Sequence, residues 1–304
     1  MAMSAALSFP ENSIIKPSIE IGAFEALWSE EVSSFKQLRE KMSSSPTALL
    51  SNLIETSVAK KFYQEVVSKL RAEGIDHYGV RLSGTIDFPP SLYDADYPVA
   101  LLYYRGNWDL AFTRGISVVG TRTPSHEGIR RTEKLVKLLV GEGFTIYSGL
   151  AAGIDTIAHE EAIDAGGSTV AVIGTPLWHH YPKDNALLQE KIANNHLLIS
   201  QVPILSYEEK GIKFNRIFFP ERNKTMSALT EATIIVEAGD TSGTLIQAKA
   251  ALKQRRKVFI LNNNFENPRL TWPHQLQKAG AIRIYDINDL LQELSRVRIP
   301  ITKG

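Results

Sequence analysis

From residue 115 onward, short continuous apolar runs alternate with longer stretches whose apolar positions recur at helical spacing. Residues 116–119, 144–147, 169–173, 197–200, 233–236 and 258–261 are rich in Val, Ile and Thr and carry no polar alternation. Runs of this kind are strands covered on both faces, and their alternation with helical segments predicts a parallel sheet. Residues 281–285 predict a last strand and 289–294 a closing helix. The fold class expected is α/β: a doubly wound, mostly parallel Rossmann-like sheet. Residues 22–71 read differently. Phe24, Leu27 and Trp28, then Val58, Phe62, Val66 and Leu70, recur at helical period, and Ser43-Ser44-Ser45-Pro46 breaks the middle, with Pro46 suited to the first turn of the next helix. Two parts are therefore expected: a small helical N-terminal module over 1–86, and a Rossmann-like domain over 87–304. The latter includes a connector over 87–107 where Pro89-Pro90 and Tyr97-Pro98 mark extended or turning chain. Leu101, Leu102, Tyr103 and Tyr104 make that connector too apolar for a solvated linker.

Three strand-to-helix turns stand out. Gly120-Thr121-Arg122, Ser148-Gly149-Leu150-Ala151-Ala152-Gly153 and Ser242-Gly243-Thr244 each follow an apolar run and open a helical pattern. Glycine lets the backbone approach an anion closely, and the first N–H groups of a helix, with its positive dipole end, favour negative charge. In a doubly wound sheet such turns lie beyond the carboxyl ends of the strands, where ligands bind. A phosphate-bearing ligand is the chemistry they suit.

Composition narrows the class. The chain has 304 residues, 43% of them hydrophobic, enough for a sizeable core. No stretch reaches the roughly 18 apolar residues of a membrane span, and the first residues lack a basic, apolar leader, so a cytoplasmic protein that does not enter the membrane is expected. The absence of cysteine excludes disulfides, thiolate metal sites and a cysteine nucleophile. A net charge of only +1 means that any nucleic-acid binding must come from a local basic groove.

Taken together, these motifs resemble the DNA-processing protein A family, also called DprA or Smf. The resemblance spans roughly 74–281. It rests on Tyr97-Pro98, Arg105-Gly106-Asn107, the Val119-Gly120-Thr121-Arg122 turn, Ser148 to Ala151, Gly153-Ile154-Asp155 and Ala158-His159. Further along it rests on Tyr181-Pro182 with Asn185, Phe219-Pro220-Glu221-Arg222-Asn223, and Val236-Glu237-Ala238 ahead of Ser242-Gly243-Thr244. Family members usually carry Arg-Asn-Arg where this chain has Arg222-Asn223-Lys224, and a short member without the winged-helix tail that many carry is expected from the few residues after Leu294. The resemblance implies single-stranded DNA binding, delivery of the strand to a RecA-type recombinase and a homodimer. It implies no cofactor.

The residues then take expected roles. Arg122 sits in the first turn, where a guanidinium can grip a phosphate that the amides position, or else close a surface salt bridge. Arg222, Asn223 and Lys224 are expected at DNA, with Asn223 alternatively a helix cap. Lys183 joins them or lies in a solvated turn. Phe218, Phe219, Trp178 and Tyr181 are candidates for stacking on bases, and core packing explains each of them equally well. Arg255-Arg256-Lys257 reads as a helix end complementing the dipole. Asp155 and His159, four apart, lack a nucleophile motif and suit a helix-fixing hydrogen bond. His179-His180 beside Asp184 offer no third metal ligand. Neither catalysis nor a metal is expected. Two other classes stay open: a nucleotide-binding sensor or hydrolase, against which Gln247 lacks a carboxylate base, and a DNA-binding regulator or antitoxin with an operon-encoded partner in a phage-defence pair.

Overall fold

The computed structural model describes residues 15–43, 49–95, 97, 99–240 and 242–296. Pro46 and Pro98, expected to start a helix and mark a turn, lie outside the described residues.

The chain begins with α1 (Pro17–Ala26), which runs into a π-helical turn (Leu27–Glu31), then α2 (Phe35–Ser43) and α3 (Thr56–Ala72). Strands β1 (Gly79–Leu82) and β2 (Leu101–Gly106) precede the alternating part: β3 (Gly115–Val119), α4 (His126–Gly141), β4 (Thr145–Ser148), α5 (Ile154–Asp164), β5 (Thr169–Ile173), α6 (Ala186–Asn195), β6 (Leu197–Ser200). After these come α7 (Ile204–Asn215), α8 (Phe218–Leu229), β7 (Ala232–Ile235), α9 (Thr244–Lys253), β8 (Lys257–Leu261), α10 (Asn263–Glu266), α11 (Trp272–Lys278), β9 (Ile282–Ile284) and α12 (Ile287–Ser295).

These strands form one sheet, in the order β1-β2-β6-β5-β4-β3-β7-β8-β9. From β6 to β9 every neighbour is parallel; β1 and β2 attach antiparallel, with Tyr103 opposite Ser200. The sheet is thus mostly parallel, as expected from its unbroken apolar runs. Burial explains the pattern: every residue of β3, β4, β5, β6 and β7 is buried, because helices cover both faces. On one face Ile116, Val118, Ile146 and Ile234 meet α4, α5 and α12; on the other Val119, Val170, Ile199 and Ile235 meet α8, α9 and α11.

Residues 101–104 form most of β2, and 79–82 form β1, so the sheet begins before the boundary expected at residue 86. The N-terminal helices share their core with that part of the sheet. Trp28, Phe24 and Leu70 belong to one apolar cluster with Leu101, Tyr103, Ala171 and Leu198. Helix α1 is buried from Ile19 to Ala26, including two acids. Glu20 accepts the N–H of Leu50 at 2.8 Å, and Glu25 reaches across to β2 and α7. Buried carboxylates of this kind persist where their oxygens are hydrogen-bonded.

Candidate functional site

Strand order reverses at β3: the chain first builds β4, β5 and β6 on one side, then crosses to place β7 on the other. The carboxyl end of β3 is therefore a topological switch point, the usual ligand crevice of such sheets. All three glycine turns meet there. The Thr121 N–H donates to the Glu237 carbonyl (2.7 Å), the Ile154 N–H to the Thr121 carbonyl (3.1 Å), and the Thr244 hydroxyl to the Gly120 carbonyl (3.3 Å). Gly153 has φ of 80°, and a Cβ there would strike the Arg122 backbone. Only glycine lets the second turn lie against the first.

Beneath the turns lies a layer of polar groups that sequence reasoning placed differently. Asp155, at the start of α5, accepts the N–H groups of Gly149 (3.1 Å) and Ala151 (3.4 Å), so a protein carboxylate fills part of the second turn. Burial pushes its pKa up, and the neighbouring Arg222 and these amides oppose the shift. Arg222 is 6% exposed. One guanidinium nitrogen donates to the carbonyls of Gly149 and, at 2.6 Å, Val172, while Nε donates to Asn223 Oδ1 at 2.8 Å. Desolvation pulls its pKa down to about 10, Asp155 opposing this and Arg122 adding to it. Arg222, expected as a DNA contact, is thus a buried tie between the ends of β4 and β5. Its Nε and one terminal nitrogen are engaged, and its head is packed under Gly149, where a Cβ would meet the guanidinium. Ser148, expected at phosphate, is fully buried, and its hydroxyl donates to the Val118 carbonyl (2.7 Å), away from the surface. Glu237 anchors the first turn by accepting the hydroxyl (2.7 Å) and N–H of Ser125, which in turn caps α4 through the Gly128 N–H (3.0 Å).

Above this layer the surface offers donors. Within the described residues the backbone N–H groups of Arg122, Ala152, Gly153 and Gly243 have no hydrogen-bond partner. The Arg122 side chain is exposed and forms no ion pair there. Asn223 closes the third turn by donating to the Gly243 carbonyl (3.2 Å), and Ser242 Oγ accepts the Thr244 N–H (3.2 Å). The Tyr181–Asn185 loop is tied to the same place: Asn185 Nδ2 donates to the Leu150 carbonyl (2.9 Å). It carries the exposed, unpaired Lys183 and the ring of Tyr181, which lies 5.4 Å from that of Phe219. Phe219 in turn sits over Gly174 at the end of β5.

Other candidates are elsewhere. Phe218 is fully buried against Trp28, Phe35 and Phe214, and Trp178 packs on the N-terminal core with Lys69 at 5.5 Å. Lys224 pairs with Glu221 (2.6 Å) and lies over the Tyr97 ring, so its charge is spent on another face of α8. His159 Nδ1 meets the Thr169 hydroxyl at 2.6 Å, and His180 pairs with Glu190 beside Arg105. Arg256 ties Asp94 to the Ala228 carbonyl.

With this geometry in place, comparison with known proteins is decisive. The family model of DNA recombination-mediator protein A matches residues 80–295. The chain belongs to that family. It is 34% identical over 257 residues to DNA processing protein DprA of Bacillus subtilis, covering 84% of this chain and 83% of the relative. It is 40% identical over 202 residues to the Streptococcus pneumoniae DprA, covering 66% of this chain and 68% of that one. To the Smf protein of Synechocystis it is 39% identical over 215 residues, 69% of this chain and 52% of the relative's length. Among solved structures, DprA of Streptococcus pneumoniae superposes with a TM-score of 0.72 at 28% identity, covering 94% of this chain and all of that one. A Helicobacter pylori DprA, whose structure is described in terms of its single-stranded DNA binding mode, gives 0.60 at 27% identity over 72% of this chain and 96% of that one. Lys224 faces Glu221 and Tyr97 rather than the glycines.

Proposed function

We propose that the switch-point edge binds single-stranded DNA without making or breaking a bond. The observation that carries this is the convergence of three interlocked turns whose Arg122, Ala152, Gly153 and Gly243 amides lack partners, beside an unpaired Arg122 side chain and the Tyr181–Phe219 ring pair. Amides and Arg122 suit phosphate, with Thr121, Ser242 and Thr244 shaping their turns; the rings suit stacking on bases irrespective of sequence. Lys183 adds charge on the adjoining loop. Gly120, Gly149 and Gly153 let the turns nest, while Ser148, Arg222 and Asn223 hold them from below. A binding role also fits Asp155 and the Nδ1 of His159, which hold backbone and Thr169 rather than an open reaction centre. Membership of a family described as recombination mediators supports a RecA-type recombinase as recipient of the strand. Self-association and a cytoplasmic setting complete the reading. Among the described residues no helix is long and apolar enough to cross a membrane.

The test is fluorescence polarisation of a labelled oligo-dT across a salt series, for the native chain and Arg122→Glu, with duplex and mononucleotide competitors. The expected result is single-strand binding whose log–log salt slope shrinks by about 0.7 for each phosphate that the substitution releases. Failure to bind oligo-dT, with a mononucleotide raising the melting temperature instead, would hand the site to a small-ligand sensor.

A further inference from the structure

The N-terminal helices share with the sheet the element that supports the glycine turns. Helix α7 is gripped at its start and again before its kink. Glu25, at the end of α1, accepts the N–H groups of Ile204 (2.9 Å) and Leu205 (3.0 Å), which open α7, and the Tyr103 hydroxyl of β2 (2.6 Å). A carboxylate on these first amides is an N-cap supplied from a distant part of the chain. Midway along it, just before the kink at Gly211, Lys210 donates to the carbonyls of Trp28 and, at 3.0 Å, Val32, closing the π-helical turn that follows α1. Between them Lys69 of α3 pairs with Glu208 at 2.6 Å. Each part thus caps a helix end of the other.

The grip passes into α8. Phe214 and Phe218 pack on Trp28 with ring centroids 6.5 and 5.5 Å away, and Phe35 meets Phe218 at 6.1 Å. Phe218 and Arg222 are four residues apart in α8 and therefore share a face. Holding Phe218 sets the rotation of α8, and that rotation aims Arg222 at the Gly149 and Val172 carbonyls and lays Phe219 over Gly174. Gly211, at φ of 73°, interrupts α7 one residue after Lys210, so the grip before the kink and the rings after it are needed together.

We propose that Glu25 and Lys210 are positioning residues of the nucleic-acid site, acting through α7 and α8 on Phe219 and Arg222. The inference rests on the proposed binding of single-stranded DNA, and its structural half can be tested apart from DNA. Glu25→Ala and Lys210→Met remove the two caps; Glu25→Gln keeps an acceptor oxygen. Amide hydrogen exchange in the DNA-free full chain is read at 218–229 and, as a reference, at 115–119 and 169–173. Oligo-dT affinity is read across the same salt series.

Glu25→Ala and Lys210→Met are expected to speed exchange across 218–229 while the two strands keep their protection. They are expected to weaken oligo-dT binding about tenfold at every salt concentration with the slope unchanged, because a stacking platform is lost while the phosphates stay engaged. Glu25→Gln should recover most of the affinity. Unchanged exchange in α8, or faster exchange with unchanged affinity, overturns the proposal. A shallower salt slope for Lys210→Met overturns it too, since Lys210 would then bind phosphate itself. If Glu25→Ala unfolds, Lys210→Met and Glu25→Gln decide the matter, both retaining the volume of the native side chain. Should the native chain ignore oligo-dT, the binding reading falls, while the exchange data still show whether α8 depends on Glu25 and Lys210.

Discussion

Glu25 and His159 are both fully enclosed, and burial acts on them in opposite senses. It raises Glu25 from 4.5 to about 7, with the Ile204 and Leu205 amides and the Tyr103 hydroxyl opposing the rise and Glu209 of α7 adding to it. It lowers His159 from 6.5 to about 3. The Thr169 hydroxyl donates to the Ile146 carbonyl, so it accepts from His159, which is held neutral with its proton on Nδ1. Folded Glu25 binds its proton more tightly than the unfolded chain does, so its contribution is complete below pH 4.5 and is lost as pH rises toward 7. Folded His159 binds its proton less tightly, so its contribution is complete above pH 6.5 and is lost as pH falls toward 3. Between pH 4.5 and 6.5 the two slopes oppose one another. Denaturant unfolding from about pH 4.5 to about pH 7.5 should therefore show a flatter pH profile for the native chain than either group alone gives. Glu25→Gln, which deletes the falling limb, should leave stability rising with pH up to about 6.5. A profile for Glu25→Gln that tracks the native one would show that Glu25 is ordinary in its titration.

At the scale of elements, each glycine turn rests on a neighbour's backbone or on a buried side chain. Gly149→Ala drives a methyl into the Arg222 guanidinium, which is held in place by one terminal nitrogen on the Gly149 and Val172 carbonyls and by Nε on Asn223. Overpacking of this kind costs about 1–3 kcal/mol, read as a lower denaturation midpoint at unchanged m-value; an unchanged midpoint would mean that the turn relaxes freely. The strands of this region were legible in the sequence. Residues 169–173 and 197–200 match β5 and β6 end to end, and most other strands shift by a single residue, because unbroken β-branched runs have one reading when both faces are covered. β1 and β2 were not foreseen as strands: Gly79-Val80-Arg81-Leu82 is too short and mixed to show a period, and β2 was legible only as an apolar connector. The glycine turns were visible as motifs. The layer beneath them was not, since a sequence does not disclose the rotation of α8, and that rotation alone separates buried Arg222 and Phe218 from surface-facing Phe219.

Considered whole, the molecule has N-terminal helices without a private core. Trp28, Leu70 and Phe24 pack in one cluster with Tyr103, Leu198 and Phe218, and Glu25 and Lys210 lie across the same boundary. Helices and sheet should then unfold together. Far-UV and near-UV circular dichroism are expected to give coincident denaturation curves, and an early near-UV step would show that the helices melt on their own. The order of the strands has a further consequence, which concerns synthesis on the ribosome. The emerging chain can stack β4, β5 and β6 beside β3 as each appears, but the crevice stays one-walled until β7 crosses back past β3 and the turn at 242–244 follows it. A nascent chain arrested before Ala232 already carries Arg122 and the paired rings of Tyr181 and Phe219, yet has no second wall to set against them. The proposed nucleic-acid groove is thus completed only once synthesis has passed residue 244, and the polypeptide before that point is spared from engaging a strand it could not yet hold.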